Sequence, residues 1–366
     1  MRIKKQAGSP DYLIIFCIAF LVIFGLVMLA SASSYLGQTK FGDSYYYLKH
    51  QLMYGFSIGL VGFIATSMIY YRRYEKIAIF LLILSIALLV LVFTPLGLSS
   101  SGADRWIKIG PVNFQPSEFL KLTFIIYLAA WLGKNIERAK SFAGGFLPFL
   151  IVSAIIAGLL IKQPATSTVA VLMFTGLVIY FVSGARISYI LGAIIAGALA
   201  LAMVIYITPY RLTRIMTFLN PETDLQATGY HINQAKIAIG SGGLFGVGYG
   251  ESTTKVRYLP EPIGDSIFAI IAEELGFMGS TTLILVFLTL VLKIFWLARK
   301  VPDKFGQLLL VGFGTLIALQ VFVNIGAISG ILPLTGMPLP FISFGGTALA
   351  VFMTIGGIII NISKYS

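Results

Sequence analysis

Tyr258-Leu-Pro-Glu-Pro-Ile-Gly-Asp-Ser-Ile-Phe-Ala-Ile-Ile-Ala-Glu-Glu-Leu-Gly276 passes from a polar loop into an apolar run that continues to about residue 292. A run of about 20 apolar residues crosses a bilayer as a helix, so this stretch reads as the entry to a membrane span. Four carboxylates crowd the seam: Glu261, Asp265, Glu273 and Glu274. Acids are expensive in or beside hydrocarbon, which makes such a cluster a functional-site hypothesis from the outset.

Working outward, the pattern repeats along the whole chain. Of 366 residues, 58% are hydrophobic and 11% charged, with a mean hydropathy of +0.92. Soluble domains carry roughly 25% charged residues, so the composition is that of an integral membrane protein. Apolar runs fall near 12–32, 52–70, 77–94, 118–133, 146–162, 166–183, 187–207, 265–292, 307–329 and 345–362. The expectation is an all-α, polytopic chain with about ten transmembrane helices, forming one membrane domain over residues 1–366. An even number of spans places both termini on the same side.

Orientation follows from the basic residues. With the N-terminus inside, the short inner segments hold Arg2, Lys4, Lys5, Arg72, Arg73, Lys76, Lys134, Arg138, Lys140, Arg186, Lys293, Arg299, Lys300, Lys304 and Lys364, more than half of the 26 Lys+Arg. Lys and Arg concentrate in short cytoplasmic loops, so both termini are expected to be cytoplasmic. The net charge of +12 then reflects topology and attraction to anionic lipid heads. Because the basic residues are scattered rather than gathered in one stripe, a nucleic-acid surface is excluded.

The N-terminal run superficially resembles a signal peptide, but it is longer than the 7–15 residues of a signal core; an uncleaved first span is expected. Cys17 stands alone within it, so no disulfide forms within the chain. The two histidines, His50 and His231, do not by themselves make a zinc centre.

Three external segments stand out: about 95–117, 207–264 and 330–346. The second is a polar stretch between spans 7 and 8 that carries Ile, Leu, Phe and Tyr throughout, with helical spacing over 229–240; it should be a large folded extracellular loop. Long loops in compact proteins are usually functional or disordered. All three lie on one side, consistent with a shared outer site. Each also has a plainer reading. The glycine-rich Gly240-Ser-Gly-Gly-Leu-Phe-Gly-Val-Gly-Tyr-Gly250 lacks the Gly-Lys-Ser/Thr of a P-loop; its amides could cradle a pyrophosphate, or it could be a hinge. Pro116-Ser-Glu118 looks like a helix start, and Glu118 and Lys121 share a face as an ion pair or a functional pair. Arg105, Trp106 and Lys108 suit phosphate binding or interfacial anchoring. Trp131 and Trp296 read as interface anchors.

Glu273 and Glu274 lie on the order of 12 Å along a helix from Asp265, too far for a reacting pair. They are expected to be structural, partnered by hydrogen bonds or cations. Asp265 sits at the boundary, where burial raises and a helix N-terminus lowers a carboxyl pKa.

Seven motifs, in order along nearly the whole chain, carry a resemblance: Gly102-Ala-Asp-Arg-Trp-Ile107, Gln115-Pro-Ser-Glu118 with Lys121, Ala238-Ile-Gly-Ser-Gly-Gly-Leu-Phe-Gly246, Tyr258-Leu-Pro-Glu261, Asp265 with Ile267-Phe-Ala, Ala272-Glu-Glu-Leu-Gly276, and Leu339-Pro-Phe-Ile-Ser-Phe-Gly-Gly346. Together they resemble the SEDS family (shape, elongation, division and sporulation), nearer its division branch than its rod-elongation branch. The resemblance implies a peptidoglycan glycosyltransferase that polymerises lipid II at the outer face of the cytoplasmic membrane, in partnership with a class B penicillin-binding protein that acts as transpeptidase. It also implies that Asp265 is the essential acid.

An α-linked glycosyl pyrophosphate that becomes a β-1,4 glycan inverts its anomeric carbon, as one displacement does. Such a reaction needs a base for the acceptor hydroxyl, assigned here to Asp265, and a cationic clamp for the departing pyrophosphate. Arg105, Lys108, Arg211, Arg214, Lys255 and Arg257 are the candidate clamp, a divalent cation (Mg2+ or Mn2+) is possible, and Trp106, Gln115, Ser117, Glu118, Lys121 and Glu261 complete the expected substrate site. The chain departs from the family in two places. Ile263-Gly264 stand where His-Thr often precedes the aspartate, leaving no neighbouring imidazole, and Gln163-Pro-Ala-Thr-Ser-Thr168 replaces Gln-Pro-Asp-x-Gly-Thr. A lipid II flippase and a non-catalytic division scaffold are the rival readings.

Overall fold

The computed structural model describes residues 8–100, 103–110, 112–219 and 228–366. Helices stand at each of the ten expected segments. They are α1 (Tyr12–Phe41), α2 (Tyr46–His50) continued through a π-helical turn (Gln51–Phe56) into α3 (Ser57–Met68), α4 (Arg73–Leu91), α5 (Pro116–Gly133), α6 (Leu147–Lys162), α7 (Thr166–Val182) and α8 (Ile187–Ile207). The connection that follows α8 adds α9 (Pro209–Leu219), α10 (Thr228–Ser241) and the single turn α11 (Thr254–Arg257), after which come α12 (Ile267–Lys300), α13 (Lys304–Ile328) and α14 (Gly346–Ser363). Eight helical segments among the described residues are long and apolar enough to cross a membrane; α7 is a shorter apolar helix, and α5 carries the charged pair Glu118 and Lys121.

Local chemistry sets the ends. Asp11 caps α1 by accepting from the amides of Leu13 and Ile14, and Gly42 ends it at φ +69, a left-handed cap natural to glycine. Asp303 caps α13 by accepting from Gly306 N. The chain ends meet: Gly8 N donates to Lys364 O at 2.7 Å and Asp11 N to Ser363 Oγ at 3.0 Å, while the Asp11 carboxylate lies 3.1 Å from Lys293 Nζ. Both ends of the described chain therefore lie together.

The centre of the bundle is α13 and α14. Of their apolar windows 67% and 78% is buried, against 11% for α8 at the periphery. α13 packs on α12, α5 and α7, and α14 on α3. Lipid is as apolar as leucine, so membrane helices gain by close packing of small residues. At the α3–α14 seam a Cβ on Gly59 would lie 2.6 Å from Met353 Sδ, and one on Gly357 would strike the Phe63 carbonyl.

Two features add to the expected arrangement. The 95–117 segment is a small antiparallel sheet, β1 (Gly97–Ser100), β2 (Ala103–Ile109) and β3 (Val112–Phe114), in the order β1-β2-β3. Alternation decides it: Ile107 is buried while Lys108 beside it is exposed. The span beginning near 265 is not one helix either. It runs to Lys300 and breaks at Gly276, whose φ of +65 and ψ of −163 lie outside helical space.

Candidate active site

Asp265 lies two residues before the first turn of α12, with Ser266 between them as the cap residue. Its Oδ1 is buried without a hydrogen-bond partner. Burial, and then the neighbouring negative charge of Glu261, push its carboxyl up to about 7; its own amide, the Ser266 amide and the Arg214 guanidinium pull the other way. Desolvation wins because the helix-end amides offset only part of it.

The turn that carries Asp265 is held by hydrogen bonds to distant segments. Ser343 Oγ donates to Gly264 O at 2.6 Å, and Phe344 N to Ile263 O at 2.8 Å. On α13, Asn324 Nδ2 donates to Asp265 O at 2.9 Å and to Met337 O at 2.7 Å. One turn earlier, Gln320 Nε2 donates to Pro338 O at 2.9 Å, and Gln320 Oε1 accepts from Lys121 Nζ at 2.9 Å. Lys121 is wholly buried and paired with Glu118 at 2.7 Å. A continuous polar chain thus links the Glu118–Lys121 pair on α5 to the Asp265 turn through Gln320, residues 337–338 and Asn324.

The other predicted residues fall in several places. Arg214 on α9 donates to Leu334 O at 3.2 Å and faces Asp265 electrostatically. Arg211 donates to Thr208 Oγ1 and Ile161 O. Arg105 on β2 donates to Gln163 O at 2.8 Å and Pro164 O at 2.6 Å, joining the sheet to the α6–α7 connection. Trp106 is half-buried, Lys108 and Glu261 are exposed, and Ser117 is buried. Gln115 N donates to Thr347 Oγ1 at 3.2 Å, and that hydroxyl donates to Asn113 O. The Arg257 side chain lies outside the described residues. The segments 95–117, 207–264 and 330–346 are therefore hydrogen-bonded to neighbouring parts of the bundle around the starts of α12 and α14 and the end of α13. Among the described residues no three His, Cys, Asp or Glu side chains converge to hold a metal ion.

Lys255, expected in the cationic clamp, is instead buried. Its Nζ binds Glu274 Oε1 at 2.7 Å, Ser31 Oγ at 2.9 Å and Gly250 O at 2.6 Å. Ser31 also donates to Glu274 at 2.5 Å. Glu273 accepts from Ser252 Oγ at 2.6 Å, from Thr253 N at 3.0 Å and from the Thr254 hydroxyl. The two deep acids therefore fasten the 250–255 segment to α12 and α1.

The glycine-rich stretch has a third role, neither cradle nor hinge. Val247 N donates to Glu273 O at 2.9 Å and Gly248 N to Glu274 O at 3.1 Å, while Phe277 N and Met278 N donate to Gly243 O and Leu244 O at 2.9 and 3.1 Å. These bonds satisfy the backbone groups freed where α12 breaks. The fit requires glycine: a Cβ on Gly246 would strike Glu274 O, and one on Gly276 would strike Gly246 N.

Sequence reasoning missed His231. Its Nε2 lies 2.6 Å from Ser266 Oγ, which donates to Pro260 O at 2.8 Å. The structure thus supplies an imidazole next to the aspartate turn, from α10 rather than from the preceding residues. Asn324 and Gln320 were also missed, since a lone amide in an apolar span carries no local signal of its partner.

The cell cycle protein model shared by FtsW, RodA and SpoVE matches residues 11–366. This chain belongs to the FtsW/RodA/SpoVE family. A relative named probable peptidoglycan glycosyltransferase FtsW, from Trichlorobacter lovleyi, is 40% identical over 99% of this chain and 95% of its own length. Stage V sporulation protein E of Bacillus subtilis is 38% identical over the full length of both. Among solved structures, a chain from a peptidoglycan synthase complex described as coordinating polymerization and crosslinking superposes with a TM-score of 0.81 at 27% identity, covering 98% of this chain and 99% of that one. Rod shape determining protein RodA of Thermus thermophilus gives 0.72 at 27% identity, covering 97% of each. Family membership makes this a multi-pass membrane protein.

Proposed function

We propose that this chain is a peptidoglycan glycosyltransferase that polymerises lipid II into β-1,4 glycan at the outer face of the cytoplasmic membrane, with Asp265 as general base. The observation that carries the reading is the Asp265 carboxyl itself: directly before the cap residue of a helix, with one oxygen unpartnered, and raised to about 7. A base works best with a pKa near the operating pH, and an ordinary surface aspartate near 4 would be too weak. Asp265 takes the proton of the acceptor sugar hydroxyl as that oxygen attacks the anomeric carbon of the donor. The anomeric C–O bond to pyrophosphate breaks with inversion, and the leaving pyrophosphate carries away the electron pair. Arg214 is the cation facing Asp265 and is the first candidate to offset the negative charge that develops on the leaving pyrophosphate; Arg105, Lys108, Arg211 and Arg257 are the further clamp candidates.

Both termini are assigned to the cytoplasm, from the basic inner loops and the joined chain ends. The partner is a class B penicillin-binding protein, by analogy with the synthase complex whose chain superposes here. The broken α12 is the feature a transporter would use. Here, however, the glycine-rich stretch pairs with the backbone at the break, which favours the polymerase reading.

Purified full-length chain, with and without its partner and Mg2+, should convert lipid II to glycan strands, and Asp265→Asn should not. Lipid II movement across vesicles without glycan synthesis would support a flippase. An Asp265→Ala strain that grows normally would support a scaffold.

A further inference from the structure

Among the buried titratable groups that the mechanism does not use, His231 is aimed at the aspartate turn. His231, on α10, is 7% exposed, and Ser266 is fully buried. Ser266 Oγ sits between His231 Nε2 at 2.6 Å and Pro260 O at 2.8 Å. A carbonyl only accepts, so the serine proton goes to Pro260 and Nε2 must donate to the serine oxygen. That fixes the tautomer, with the proton on Nε2. The hydroxyl then joins three pieces of chain: the cap helix α10, the start of the turn at Pro260, and the first turn of α12 next to Asp265.

We propose that His231 is a positioning residue for Asp265: its Nε2–H, passed through Ser266 to the Pro260 carbonyl, closes the turn so that the buried Oδ1 of Asp265 stays out of water. The proposal rests on Asp265 being the base. It has a physical consequence besides rate, because burial is the largest cause raising the Asp265 carboxyl; loosening the turn admits water and returns the group toward the ordinary carboxylate range. Among the described residues, three charged groups surround the pair. Arg214 on α9 faces both His231 and Asp265, Glu261 faces Asp265 from the same turn, and Lys236 on α10 packs on Gly330. Burial and Arg214 hold His231 down at about 4, so it stays a neutral donor while Asp265 titrates.

The test is an infrared titration of the Asp265 carboxyl in the full-length chain, the band being identified by its loss in Asp265→Asn, alongside the pH profile of glycan synthesis. In His231→Ala the carboxyl midpoint should fall by about one unit or more, with the acid limb of the rate following it. His231→Gln, which still donates but does not titrate, should restore both. A midpoint unmoved in His231→Ala, or moved but not restored by Gln, overturns the proposal. If His231→Ala does not fold, Ser266→Ala removes the same junction at almost constant volume and is read identically. A wild-type chain whose carboxyl titrates as described but which makes no glycan would overturn the polymerase reading and leave the positioning role standing.

Discussion

Asn324 holds the backbone of Asp265: its Nδ2 lies 2.9 Å from the Asp265 carbonyl and 2.7 Å from that of Met337. One amide on α13 therefore clamps the aspartate turn and the proline- and glycine-rich 330–346 segment together. Asn324→Leu removes both donors and leaves two part-buried carbonyls, each worth about 1–3 kcal/mol when unsatisfied. The expected outcome is a stability loss of about 2–4 kcal/mol, read as a lower unfolding midpoint in detergent. Glycan synthesis should fall even where the protein remains folded.

Asp265→Asn keeps the shape and removes the base. Glycan synthesis should drop by about 10²–10⁴-fold, the usual contribution of a general base, with the folded yield unchanged. A variant that polymerises at the wild-type rate would remove Asp265 from the mechanism.

The raised carboxyl sets opposite pH trends for rate and stability. Activity needs the ionised form, so the wild-type rate should climb as pH passes about 7. Stability runs the other way: a carboxyl raised by folding contributes stability fully present below its unfolded value near 4, and lost as pH rises through about 7. Thermal unfolding at pH 5 and pH 8 should show Asp265→Asn gaining on the wild type at the higher pH.

Lys255 and Glu274 form a buried pair. Removing one partner strands the other charge, at a cost of about 3–5 kcal/mol. Lys255→Met and Glu274→Met should each destabilise by that order, and the double variant by less than their sum, as chemical denaturation would show. A Lys255→Met chain of normal stability but weakened lipid II binding would return this lysine to the cationic clamp.

Gly246 and Gly250 separate backbone strain from collision. Both have positive φ, but only at Gly246 would a Cβ meet backbone, the Glu274 carbonyl; at Gly250 there is open space. Gly250→Ala should cost about 1 kcal/mol of left-handed strain. Gly246→Ala should cost more, lowering expression and the unfolding midpoint, because the paired break in α12 must shift.

Much of this protein was legible in its sequence because the relevant signals are local. Apolar run length marks the spans, since a helix must satisfy its own backbone in lipid. The cap residues, and the carboxylates at the mouth of α12, are likewise local. The segment at 95–117 was legible only as a loop between spans; its sheet depends on cross-strand pairing that no single stretch of sequence displays.

What tertiary structure decided is which groups meet. The carbonyls of Ile263, Gly264 and Asp265 are bound by residues 59 to 81 positions away, and His231 reaches Ser266 across the outer segment. Sequence spacing does not encode such pairings, because the bonds form only once α10, α13 and residues 330–346 have packed against the start of α12. The sequence by itself determined a multi-span membrane chain with an acid at the mouth of one span. Packing decided that one oxygen of this acid is buried and left without a partner, that Lys255 is spent on Glu274, and that a glycine-rich loop completes a broken helix, because burial and hydrogen-bond satisfaction are properties of the assembled bundle.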